Sequence, residues 1–98
     1  MNSKIKSTDV DFLFDAILQL RNREECYMLF EDLCTVQEMK ALSQRLVVAK
    51  MLSEGRVYSD IVKNTGASTA TISRVKRSLD YGCDSYSMVF GRMEAEEK

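Results

Sequence analysis

The sequence predicts an all-α fold of six helices built around a helix-turn-helix, and three observations carry that prediction. Apolar residues recur three and four positions apart through the long segments, which places them on one face of a helix. No proline interrupts these segments anywhere in the 98 residues, and cap residues stand at the head of most of them. The stretch from Val57 to Leu79, VYSDIVKNTGASTATISRVKRSL, holds a short helical segment, a glycine and a second helical segment at fixed offsets.

Residues 1–8 are polar and expected to fray, and Thr8 or Asp9 is placed to cap the first helix, where Leu13, Ile17 and Leu20 recur at helical spacing. Phe12, Phe14 and Leu18 widen this stripe beyond one face, so more than one element, a second chain included, should pack on it. Asn22 can cap a second helix to about Leu33, with Glu25 in the capping-box position. Its Tyr27, Phe30 and Leu33 share a side, flanked by Cys26 and Leu29, and read as core. Thr35-Val36-Gln37-Glu38 is a clearer capping box, opening a third helix that runs to about Glu54, where Gly55 supplies a stop. Met39, Leu42, Leu46 and Ala49 form one apolar track and Ala41, Val48 and Leu52 another. This helix is therefore expected to be buried from two directions, as the central post of the fold.

In the helix-turn-helix, Ile61 and Thr65 lie one turn apart in the first segment, as do Ile72 and Val75 in the second. Gly66 between them suits a reversal that needs positive φ, and Ala67 permits close approach of the two helices. Ser68 or Thr69 can cap the second helix, whose exposed face would carry Thr69, Ala70, Ser73, Arg74 and Arg77. Small hydroxyls and alanine allow approach to base edges and thymine methyls, while Arg and Lys reach phosphates or guanine. From Arg56 to Arg77 there are five basic residues against one acid, Asp60; with the chain at −1 overall, this positive charge is local. Lys76 and Arg77 are expected among the phosphate contacts.

After Leu79, the run Asp80 to Asp84 reads as a loop. Ser85 can then cap a last helix of about ten residues, with Tyr86, Val89, Phe90 and Met93 on one stripe. So short a helix must dock on the body or on a second chain, and the acidic tail Glu94 to Lys98 is expected to stay solvated.

The chain has room for one domain, spanning residues 1–98, with 45% hydrophobic and 30% charged residues. No apolar run approaches the ~20 residues of a membrane span. Met1–Thr8 is too polar for a signal peptide, so a cytoplasmic protein is expected. Cys26, Cys34 and Cys83 lack paired metal-ligand spacing and there is no histidine, so neither a metal nor a cofactor is expected. Without histidine or a glycine-rich phosphate loop, enzymatic activity is not expected either.

The block from Cys34 to Leu79, with CTVQEMKALSQRL, VAKMLSEG and TGASTATISRV, followed by LDYGCDSY, resembles the Trp repressor family and more closely its Trp-repressor-related YerC/YecD branch. The resemblance implies an intertwined homodimer in which terminal helices of both chains interlock and two helix-turn-helix heads enter successive major grooves of double-stranded DNA. Carried over, the family's DNA contacts fall on Ser68, Thr69, Ala70, Thr71 and Ser73, with Arg74 at the edge. A first-helix contribution falls on Tyr58, Ser59 and Val62, where the Trp repressor itself has longer polar or basic side chains. Its effector pocket would map onto Arg45, Arg74 and Ser78, but Val75 stands where that protein has glycine against the indole. Tryptophan is accordingly not the expected effector.

Two readings of function compete. The first is a homodimeric, sequence-specific DNA-binding regulator, a repressor, using Ser68, Thr69, Ala70, Thr71, Ser73, Arg74, Lys76 and Arg77. The second is a protein-interaction module that keeps the helix-turn-helix as a docking surface without reading DNA.

Overall fold

The residues described by the computed structural model, 4–97, contain six helices and no strand. These are α1 (Thr8–Ile17), α2 (Arg23–Leu33), α3 (Val36–Ser53), α4 (Tyr58–Thr65), α5 (Thr69–Tyr81) and α6 (Ser85–Glu97), the class and number the sequence predicts. Residues 1–3 and Lys98, ends of the segments expected to fray or stay solvated, lie outside the described residues. None of the helices is long and apolar enough to cross a membrane.

Side-chain caps decide where the first three helices start. Ser7, rather than Thr8 or Asp9, caps α1: its Oγ accepts from the Val10 N–H at 3.1 Å, and Thr8 is already helical. Leu20 falls beyond the helix, which ends at Ile17. Asn22 accepts from the Glu25 N–H at 2.8 Å, while the Glu25 carboxylate reaches one residue further back than a capping box requires, to the Arg21 N–H at 2.9 Å. The Thr35–Glu38 box closes in both directions, Glu38 N–H to Thr35 Oγ1 at 3.1 Å and Thr35 N–H to Glu38 Oε1 at 2.8 Å. The bond that the carboxylate accepts from the Thr35 N–H, with the Thr35 side chain second, holds the Glu38 carboxyl below its ordinary value of 4.5.

Contacts divide the chain into two compact units, Met1–Met39 and Lys40–Lys98. In the first unit no residue of α1 or α2 is fully buried. Tyr27 and Leu33, expected in the core, are exposed, whereas Leu29 and Phe30 are half-buried. Phe12 and Leu18 are both 77% exposed. Two short helices have few faces to offer each other, so much of their apolar surface stays exposed.

The second unit holds the core. Val48, Ala49 and Met51 of α3, Ile61 of α4, Ala67 of the turn, Ile72 and Val75 of α5 and Phe90 of α6 are buried together, with Leu52 and Tyr86 packed against them. The expectation that α3 is buried from two directions holds for Val48, Ala49 and Met51, with Leu52 half-buried. Ala41, Leu42 and Leu46 are exposed. Gly55, at φ 79, ends α3 as expected.

Two further boundaries differ from those the sequence predicts. The α5 helix continues to Tyr81, so the loop shrinks to residues 82–84; the Lys76–Asp80 ion pair, one turn apart, supports this extra turn. The last helix, α6, runs 13 residues rather than about ten and extends into the acidic tail, whose residues 94–97 are exposed as expected. Lys50 meets this helix: its ammonium lies 3.5 Å from Glu94 and 5.2 Å above the Phe90 ring, while Tyr86 and Phe90 stack with centroids 6.0 Å apart. One cation on α3 thus holds α6 by charge and by ring contact.

Candidate nucleic-acid interface

The turn between α4 and α5 is built from three adjacent residues. Thr65 Oγ1 donates to the Ile61 carbonyl at 2.7 Å and accepts from the Ala67 N–H at 3.1 Å, so one hydroxyl closes both sides of the reversal. Gly66 sits at φ 72, the left-handed conformation its place in the sequence calls for. Ala67 is 2% exposed, where the close approach of the helices leaves room only for a methyl group. From α3, the Gln44 amide donates to the Thr65 carbonyl at 3.2 Å and ties the turn to the core helix. Ile61, Ile72 and Val75 face inward at 0–2% exposure, so the inward register is the one the spacing predicts.

That register turns the predicted reading residues outward. Thr69, Ala70, Ser73, Arg74, Lys76 and Arg77 are all exposed along α5. Ser68 and Thr71 also begin the helix. The Ser68 hydroxyl accepts from the Thr71 N–H at 3.1 Å and pairs with Thr71 Oγ1 at 3.1 Å, and Thr71 is half-buried, so both hydroxyls are engaged in starting the helix. The free short side chains are therefore Thr69, Ala70 and Ser73. No acid lies in the first turn of α5, which leaves the positive end of its dipole unopposed. On α4, Tyr58, Ser59 and Val62 are exposed beside this surface.

The cations divide into two groups. Lys76 Nζ lies 2.9 and 3.0 Å from the two Asp80 oxygens, and Arg56 pairs with Asp60, which also accepts from the Asn64 amide. The hydrogen bonds that Lys76 donates to Asp80 raise the Lys76 pKa, and the one that Arg56 donates to Asp60 raises the guanidinium and lowers the carboxyl. Lys63, Arg74 and Arg77 have no ion-pair partner among the described residues. Counting charge along the sequence missed this division, although both pairs are opposite charges four residues apart, a spacing that by itself favours pairing along a helix.

Of the effector candidates, Arg45 and Arg74 are exposed, and Ser78 spends its hydroxyl on the Arg74 carbonyl at 3.3 Å. Val75, expected to fill an indole slot, is 2% exposed within the core. One surface groove of the second unit lies beside Gln44 and Thr65 and another beside Lys50 and Phe90; neither of these includes Arg45, Arg74 or Ser78.

A glycine-hinged helix pair packed on a longer helix, with its second member presenting short polar side chains between free cations, defines an all-helical helix-turn-helix protein. The chain belongs to the Trp repressor family: the family model described as Trp repressor protein matches residues 8–94. It is 53% identical over 94 residues to the uncharacterized protein YerC of Bacillus subtilis (strain 168), covering 96% of this chain and 90% of that protein. Among solved structures it is similar to a candidate Trp repressor from Staphylococcus aureus, at TM-score 0.89 and 59% identity over 93% of this chain and 91% of the other. A TrpR-like protein from Eubacterium eligens ATCC 27750 matches at TM-score 0.90 and 57% identity, covering 95% and 96%.

Proposed function

We propose that the chain is a sequence-specific DNA-binding transcriptional regulator, a repressor that occludes its site as a homodimer. The observation that carries this reading is the outward face of α5. Thr69, Ala70 and Ser73 are short enough to approach base edges, and the unpaired Lys63, Arg74 and Arg77 are free for phosphate or guanine. Membership of a repressor family supports it. The whole chain acts as one domain in this reading, in the cytoplasm where bacterial DNA is accessible, and no catalytic step is proposed. The apolar residues left exposed in one chain, Phe12, Leu18 and Tyr27 above all, support the homodimer. Arg45, Arg74 and Ser78 mark where a small-molecule effector would bind.

The test is a salt titration of binding to a duplex selected from a random-sequence pool. Three free cations per head, doubled in a dimer, give an expected slope of log affinity on log salt of roughly −5. Arg74→Ala with Arg77→Ala should flatten it, and Thr69→Asp should abolish binding with helicity retained. A folded protein that selects no duplex would favour the protein-docking reading instead.

A further inference from the structure

The outward side of α5 carries two parallel stripes. Thr69, Ser73, Lys76 and Asp80 follow one another at helical steps, and Ala70, Arg74, Arg77 and Tyr81 do so beside them, while Ile72 and Val75 point inward. Asp80 is out of keeping with this face. A carboxylate in line with Thr69 and Ser73 would repel a polyanion, yet both its oxygens lie on Lys76 Nζ, at 2.9 and 3.0 Å. Arg74 and Arg77, on the neighbouring stripe, have no such partner among the described residues.

We propose that Asp80 is an internal competitor for phosphate: by occupying Lys76 it sets how strongly the head binds DNA of any sequence. This rests on the DNA-binding reading above. Sequence-independent affinity grows with the number of phosphates that cations neutralise, each releasing counterions, so a lysine already neutralised within its own helix contributes little to that sum. The pair is open to solvent, with side chains 47% and 42% exposed, so it tunes the affinity without abolishing it. Thr69, Ala70 and Ser73 lie outside the pair, so the order of preference among sequences stays as it is.

The experiment compares the full-length protein with its variants on two duplexes, one selected from a random pool by the parent and one scrambled from it. Asp80→Asn should tighten binding to both by the same several-fold factor and steepen both salt slopes by about 0.9 per head. Asp80→Glu, which keeps the pair, should behave as the parent. Lys76→Ala combined with Asp80→Asn should return both affinity and slope to parental values, because the charge gained is removed where it was released. Asp80→Gln repeats the release with a stronger helix former, should the asparagine weaken the end of α5. Glu31→Gln on α2 makes the same change in net charge away from any ion pair, and an equal gain there would overturn the proposal. If the parent binds duplex and Asp80→Asn leaves affinity and slope unchanged, this inference falls alone. A parent that binds neither duplex even at low salt takes the DNA-binding reading down with it.

Discussion

Gln44 and Thr65, 21 positions apart in the sequence, are joined by a 3.2 Å hydrogen bond from the glutamine amide to the threonine carbonyl. The same threonine uses its hydroxyl to close the turn locally, so the helix-turn-helix is anchored to α3 and folded upon itself at one residue. Thr65→Val keeps the shape and removes the hydroxyl, leaving the Ala67 N–H without its acceptor. The expected loss of stability is about 1–2 kcal/mol. Urea unfolding reads it directly, and a midpoint equal to the parent's would show that the hydroxyl is dispensable.

Gly66 tests backbone conformation apart from packing. A Cβ built there meets nothing within 4 Å, so a substitution costs only the left-handed φ of 72. Gly66→Ala should destabilise by about 1–2 kcal/mol, and Gly66→Asn by less, since asparagine tolerates this region. Equal losses for the two variants would point to a steric cause that the open space does not provide.

The Thr35–Glu38 box makes the start of α3 sensitive to acid. Hydrogen bonds from Thr35 lower the folded-state pKa of Glu38 from 4.5, so its contribution is fully present above that value and is lost as pH falls through the lower folded-state value. Asp60, lowered by Arg56 from 3.8, acts in the same direction. Thermal unfolding should therefore show parental stability falling below about pH 4.5, while Glu38→Gln loses less over that window. Parallel pH profiles would remove Glu38 from the account.

Phe12 and Leu18, each 77% exposed, and Tyr27, 72% exposed, are more apolar surface than one chain covers. Folding and association should then be a single event, with a midpoint that rises with protein concentration. Sedimentation of a folded monomer at micromolar concentration, with an unchanging midpoint, would dispose of the homodimer.

Tryptophan should not bind. Val75 is packed among Val48, Ile61 and Ile72, so a β-branched side chain occupies the position that glycine holds in the tryptophan-responsive relative. Calorimetry of the parent with tryptophan should show no heat of binding. Val75→Gly also opens a core cavity and costs roughly 2 kcal/mol or more, so its titration needs a check that the head remains folded. Tight binding by the parent would refute the volume argument.

Helix number, the Asn22 and Thr35 starts, the Gly55 and Gly66 breaks and the inward register of Ile61, Ile72 and Val75 were legible in the sequence. Each depends on residues within about one turn of one another, and such interactions are written in spacing. The start of α1 was less legible because Ser7, Thr8 and Asp9 offer three consecutive caps, and spacing alone does not rank them. The contact of Lys50 with Glu94 and Phe90 of α6 was missed because Lys50 lies far from both along the chain. By itself, then, the sequence determined the helices, the turn and which side of the reading head is apolar. Tertiary structure alone decided that Val48 and Ala49 of α3 are buried while Leu42 and Leu46 are exposed, and that Thr71 turns partly inward while Thr69 stays exposed. It also decided that, among the described residues, Lys76 and Arg56 have ion-pair partners while Lys63, Arg74 and Arg77 have none. A side chain's net charge or hydrophobicity is set by composition, but whether it is available depends on which neighbour reaches it first, and folding chooses that neighbour.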